Sequence, residues 1–360
     1  MPATNLSDTT REFKDILSML TNTSPARLSR RRFTAGMSAL MLAPRAFAQA
    51  AGIRLQKLHC CEIRVSDVAR SVRFYQDLFG MPVQSDAGGR VCLGVGDGPQ
   101  FMAVRALSAD EVPAITQLGY SVENFVPSRL LAALQTVGFE QIDAPPISEP
   151  GLTHRMKMWT RRRGATEEFY FADARGLIVQ LSSPAYCGGT GPNGEECSRP
   201  ATPPAGLMRL SDLNHFTVFG SDGAGANRFY QETFGLSVQT YQGPGSPVTG
   251  IGDGFQFVMY AGGGPAGSTP ANIHHGCFNM LDFNVERILA TLTDYGLAAR
   301  GDAPAGPMMH YVTLRMPERG GAEGGTPEVY FTDPDGILLQ LQDVSYCGGG
   351  GYLGNECSVL

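Results

Sequence analysis

Six histidines and eight cysteines are the side chains of this 360-residue chain best suited to bind a transition metal. Four of the histidines, His215, His274, His275 and His310, fall in its second half. Imidazole changes charge near neutral pH and is the commonest metal ligand, so such a group points to acid–base chemistry or to a first-row metal. His274 and His275 are neighbours in a strand-like run and must therefore face opposite ways. Cys277 shares the face of His275, where it is read as a packed thiol or as part of a cavity wall. Cys187 and Cys197 are ten residues apart in a glycine-rich loop, and Cys347 and Cys357 repeat that spacing. One disulfide per loop is expected, each worth about 3 kcal/mol by restricting the unfolded chain. Crossed pairing, free thiols and a four-cysteine zinc site are the alternatives. Cys60, Cys61 and Cys92 read as small buried thiols.

The elements that must position these residues come in duplicate. Residues 328–357 read EVYFTDPDGILLQLQDVSYCGGGGYLGNEC, and residues 168–197 read EFYFADARGLIVQLSSPAYCGGTGPNGEEC, 160 positions upstream. FYQDLFG at 74–80 returns as FYQETFG at 229–235, and GDGPQF at 96–101 as GDGFQF at 252–257. Internal repetition at this scale implies two homologous halves. Each half reads as two β-α-β-β-β units. The first helix follows Asp67, carries Val68, Val72, Tyr75 and Phe79 at helical spacing, and stops at Gly80. A second starts near Pro127, a third spans 222–234 and stops at Gly235, and a fourth carries Ile288, Leu289, Leu292 and Tyr295 before Gly296. The proline-rich stretch 200–208 separates domains 57–199 and 209–360. The Gly-Asp-Gly triplets lie between strands, which argues against a phosphate cradle.

A strand, an Asp-capped helix ending in Phe-Tyr-x-x-x-Phe-Gly and a closing Asp-Pro-Asp-Gly hairpin together resemble the vicinal oxygen chelate superfamily. That group includes glyoxalase I, fosfomycin and bleomycin resistance proteins, and extradiol dioxygenases. The resemblance, over residues 57–345, implies an α+β fold of four βαβββ modules in two domains with cupped mixed sheets. It also implies a divalent metal, Fe(II) first and Mn(II) or Zn(II) as alternatives, held by two histidines and a glutamate. The matching positions here are His215, His275 and Gln340, so the charged ligand has become an amide. The other reading of Gln340 is an amide that hydrogen-bonds a substrate or orients a histidine. In the first half those positions hold Cys60, Gln117 and Gln180, so any metal centre belongs to the second half. Tyr330 matches the tyrosine that protonates the intermediate in the dioxygenases, while the histidine expected just before it is missing. His310 is the candidate to take over acid–base duty, and a structural role shared with His154 is its alternative. Glu168 and Glu328 read as solvated strand ends.

Residues 1–48 stand apart, with Arg30, Arg31 and Arg32 before a weakly apolar run and an Ala46-Phe47-Ala48 site, similar to a twin-arginine export signal. Its loss would leave 21 Lys and Arg against 31 Asp and Glu, a net charge of −10 that excludes nucleic acid as the expected partner. No apolar run approaches the roughly 20 residues of a membrane span. The sequence therefore predicts an exported enzyme, periplasmic or secreted, acting on a small oxygenated substrate by dioxygenase-like chemistry. A glyoxalase-type lyase or isomerase and a metal-free ligand-binding protein are the alternatives.

Overall fold

The computed structural model describes residues 52–146, 151–198 and 205–357. The expected export signal and most of the proline-rich linker lie outside them. Module one runs β1 (Leu55–Val65), α1 (Val68–Phe79), β2 (Val83–Ala87), β3 (Arg90–Gly94) and β4 (Phe101–Ala106). Module two runs β5 (Ala114–Val122), α2 (Pro127–Thr136), β6 (Glu140–Gln141), β7 (Lys157–Arg163), β8 (Thr166–Ala172) and β9 (Ile178–Ser182). The second half repeats this with β10 (Leu210–Phe219), α3 (Gly223–Phe234), β11 (Val238–Tyr241), β12 (Pro247–Gly250) and β13 (Phe257–Ala261). It closes with β14 (Asn272–Met280), α4 (Val285–Tyr295), β15 (Ala298–Ala299), β16 (Met309–Arg315), β17 (Thr326–Thr332) and β18 (Leu338–Asp343).

The helix boundaries follow local chemistry. Asp67 accepts from the amide of Arg70 at 3.0 Å, and Gly80 ends α1 with φ of 64°, a conformation that favours glycine. Asp222 caps α3 in the same way through Gly225 at 2.9 Å. In each half two strands pair at the centre, β1 with β5 and β10 with β14, both antiparallel. Parallel partners flank them, β4 and β9 in the first half and β13 and β18 in the second. Among the described residues, backbone pairing between the two sheets occurs at Ile115 and Ile273. This is the cupped, mixed-sheet α+β fold that the sequence implies.

The repeated motifs turn out to be partners across the halves. Helix α1 packs on the second sheet, with Phe79 5.6 Å from Phe331 and the Tyr75 hydroxyl donating to Asp333 Oδ2 at 3.1 Å. Helix α3 packs on the first, with Phe234 stacked at 5.9 Å on Phe171 and Tyr230 donating to Asp173 Oδ2 at 3.2 Å. Burial raises the Asp333 carboxyl to about 6, against hydrogen bonds from the Ile337 and Asp335 amides and Tyr75. A single apolar cluster consequently draws on both halves.

The Gly-Asp-Gly turns make a second reciprocal contact. A Cβ on Gly96 would sit 1.7 Å from the Ser211 carbonyl oxygen, and one on Gly252 would sit 1.9 Å from that of Gln56, both at positive φ. Close backbone approach, not phosphate binding, explains these glycines. Gly252→Ala should cost about 2–4 kcal/mol from strain and overlap together. Gly254→Ala, with open space around its Cβ, should stay within about 0.5 kcal/mol. Urea melts of the two variants check this, and equal losses would contradict it.

Candidate functional site

Four adjacent strands of the second sheet carry the chemistry. His215 on β10 lies opposite Cys277 on β14, Cys277 lies beside Gln340 on β18, and Gln340 pairs with Tyr330 on β17. Alternation along β14 puts His275 on the face of Cys277. The Nε2 atoms of His215 and His275 end 3.4 Å apart, with the rings nearly perpendicular. Both are buried, and Gln340 approaches the pair from the third strand.

A register shift between Leu213 and His215 lets Asn214 fold back beside its neighbour. Asn214 donates its amide to Asn279 Oδ1 and to the Tyr346 carbonyl, each at 2.8 Å. That leaves Asn214 Oδ1 as the acceptor 2.6 Å from His215 Nδ1, so Nδ1 carries the proton and Nε2 presents a lone pair. Phe257 stacks on the His215 ring at 4.3 Å and fixes its plane. His275 Nδ1 lies 2.9 Å from His274 Nδ1, which frees its Nε2 in the same way when that nitrogen donates. Burial and the second imidazole nearby, opposed in part by the acceptor oxygen of Gln340, hold His215 far below its ordinary range. Burial and His274, against Gln340, bring His275 down to about 3. Both rings are thus neutral at physiological pH.

Behind the imidazoles lies a polar network that the sequence reading missed. Glu328, expected at a solvated strand end, is instead buried. It accepts from Arg315 Nε at 2.9 Å and from the hydroxyls of Tyr330, Tyr346 and Thr313 at 3.3 Å each. Burial and the Glu328 charge raise Tyr330 well above the usual phenol range, so its hydroxyl remains a donor. Tyr330 stands edge-on to His275 at 5.4 Å and stacks on Tyr311. The repeat was the available signal, because Glu168, Tyr170 and Tyr186 occupy the same places in the first half.

His310 does not join the site. It pairs with Phe331, whose side chain enters the apolar core, and its Nε2 meets Thr293 Oγ1 of α4 at 2.9 Å. It therefore faces the helices, opposite to Tyr330, and its proposed acid–base role is withdrawn. His274 is exposed, as alternation requires. Cys277 is fully buried, and burial with Glu328 and Asp212 raises its thiol. The disulfides form as expected, Cys187–Cys197 and Cys347–Cys357. In the first cup, Cys60 Sγ meets Gln180 Oε1 at 3.6 Å and no imidazole occupies the ligand positions.

The donor set was tested against a divalent metal. Two nitrogens each about 2.1 Å from one ion at a tetrahedral angle stand about 3.4 Å apart, so the histidines fit. Among the described residues no three His, Cys, Asp or Glu side chains cluster as a full charged ligand set. The third donor is the neutral Gln340, whose Nε2 is buried without a hydrogen-bond partner. Its oxygen can serve an ion while that orphan N–H₂ serves a substrate oxygen. Cavities of about 530 and 750 Å³ occur elsewhere, and neither is lined by His215, His275 or Gln340.

With this geometry in hand, the chain can be placed. Residues 57–135 match the model of the Glyoxalase/Bleomycin resistance protein/Dioxygenase superfamily. The fold resembles homoprotocatechuate 2,3-dioxygenase from Brevibacterium fuscum, solved as an anaerobic complex with 3,4-dihydroxyphenylacetate. That likeness has a TM-score of 0.55 and 16% identity, over 81% of this chain and 82% of the other. The Arthrobacter globiformis homoprotocatechuate 2,3-dioxygenase gives 0.54 and 16%, over 80% of each chain. No curated protein matches the chain by sequence. The family model thus covers part of the first half, and the described chain shares the fold of these dioxygenase structures.

The first cup gives a test of its own electrostatics. Burial would raise Glu168, but Arg90 and Arg163 beside it, with the Tyr186 and Tyr170 hydroxyls, bring it down to about 2 from 4.5. Because the unfolded chain takes up this proton first, the pair contributes about 3 kcal/mol above pH 4.5, lost as pH falls towards 2. Glu168→Gln should therefore trail the parent most at pH 6–7, and the gap should narrow towards pH 3. Urea melts at several pH values measure it, and a gap independent of pH would contradict the assignment.

Proposed function

We propose that this protein is a metal-dependent enzyme acting on a small substrate through vicinal oxygens, by dioxygenase-like chemistry. The observation that carries the reading is the convergence of two neutral, oriented imidazoles, His215 and His275, on one point inside the second cup. These two would hold a divalent ion, with Fe(II) first and Mn(II) or Zn(II) next, and Gln340 would lend its carbonyl oxygen. When bound, such an ion supplies Lewis acidity to two neighbouring substrate oxygens. The residues around it do the rest. Gln340 Nε2, buried and unpartnered, donates to a substrate oxygen. Tyr330 keeps its proton at neutral pH, where it donates to Glu328, and would have to turn its hydroxyl from that carboxylate to serve an oxygen next to His275. Phe257 and Tyr346 enclose the His215 ring and exclude water. Because the third protein donor is uncharged, the negative charge that offsets the cation would come from the substrate. A catechol is the first class to test, on the analogy of the fold neighbours.

A lyase or isomerase of the glyoxalase type would use the same two histidines. The two disulfides fit an oxidising compartment, in support of export to the periplasm or beyond. One observation favours a second reading, a metal-free ligand-binding protein. Gln180, twin of Gln340, has the same orphan Nε2 in a cup without histidines, so this glutamine can serve a ligand alone.

Elemental analysis and metal titration decide between them. Protein made with Fe(II), Mn(II), Zn(II) and Co(II) available should carry close to one ion per chain, lost in His215→Ala and in His275→Ala. Asn214→Ala should weaken metal binding about 10–100-fold, as loss of a ligand-orienting group does. Gln340→Glu should tighten it at least about tenfold, since a buried anion then faces the cation. Protein that stays empty, in parent and Gln340→Glu alike, would overturn the metalloenzyme reading.

A further inference from the structure

The first cup has lost the ligand pair of the second, yet it opens into a cavity of about 530 Å³, within the range of small-molecule sites. Its wall is unlike that of a vestigial site. Glu62 is met by Arg64 at 3.0 Å, Arg105 at 3.1 Å and Arg90 at 3.4 Å, and Glu168 by Arg163 at 3.0 Å and Arg90 at 3.3 Å. Leaving aside the exposed Arg162 and Asp110, five arginines, counting Arg90 behind the wall, meet three carboxylates, Glu62, Glu111 and Glu168. A positive surplus in a partly desolvated cavity is costly unless an anion offsets it.

Arg161 is the arginine with capacity to spare. On the inward face of β7, it lies opposite Glu168 in register, but that carboxylate is taken up by Arg90, Arg163 and two tyrosine hydroxyls. Arg161 donates to the Pro145 carbonyl and lies over the Tyr170 ring, 5.9 Å from its centre. No carboxylate among the described residues forms an ion pair with it. At the matching place the second cup has Thr313 opposite Glu328, so this charge is peculiar to the first. Beside Arg161, Trp159 and Tyr170 stack at 5.9 Å and 13°, and Ile115, Leu177 and Ile178 extend the apolar wall. Pro270 and Ile273 close it from the second half.

We propose that the first cup is a second, metal-independent binding site for a small planar carboxylate, with the carboxylate on Arg161 and the flat apolar body along Trp159 and Tyr170. A guanidinium pairs with a carboxylate through two parallel hydrogen bonds, and an aromatic wall suits a ring better than a bare inorganic anion. The cavity draws on both halves of the chain, so the site exists only in the assembled fold.

Trp159 is the single tryptophan of the chain, so its fluorescence reports on this cup alone. Titrating the full-length protein with phenylacetate should give a saturable change in emission. Phenylacetamide, which keeps the ring and removes the charge, should bind at least about tenfold more weakly. Arg161→Gln should weaken phenylacetate by a similar factor, and His275→Ala should leave it unchanged. No saturable change with phenylacetate, equal binding of the amide, or loss of binding in His275→Ala would each overturn the proposal. The comparison of acid with amide is made on the parent protein and does not depend on how any variant folds.

Discussion

Desolvation of two imidazoles at one point is the constraint on which the second cup depends. A buried histidine is tolerated only when neutral, and a neutral ring must place its single proton. Asn214 settles that choice for His215, because its own amide is committed to Asn279 and Tyr346 and only its oxygen is left to accept. The lone pair that remains points at His275. Placing Asn214 there requires the irregularity in β10, so a defect in strand pairing is what orients the His215 ring.

Rigidity around this point comes from the exchange of helices between halves. Each half lends an aromatic helix face to the other's sheet, and each helix tyrosine hydrogen-bonds the aspartate of the other's closing turn. Among the described residues backbone pairing joins the sheets at one residue pair, and these helices and the glycine turns add to the union. Duplicated modules joined in this way are free to diverge in their cups while their outer faces stay tied. The two cups differ in this way, one holding paired imidazoles and the other a cluster of arginines.

Much of this was legible in the sequence. Helix starts at Asp67 and Asp222, stops at Gly80 and Gly235, and the four-module order follow from capping chemistry and repetition. The two histidines and the glutamine could be named from family resemblance and are brought together. What was not legible depends on contacts distant in the chain. Nothing local tells that Tyr75 meets Asp333, or that Arg315 neutralises Glu328. Alternation along β17 put Glu328 beside Tyr330 on the inner face, but without its arginine a buried carboxylate was implausible. His310 was misplaced because its face depends on pairing with Phe331, which type and spacing leave open. Asn214 was overlooked because regular alternation would have turned it away from His215.

The central claim, that two lone pairs are held ready at a shared point, is most directly tested by nitrogen-15 NMR of the histidine rings at neutral pH, before and after addition of Zn(II). The account predicts a protonated Nδ1 and bare Nε2 on His215 in the metal-free protein, with the Nε2 signals of His215 and His275 both shifting on metal addition. A protonated Nε2 on His215, with spectra unchanged by the metal, would contradict it.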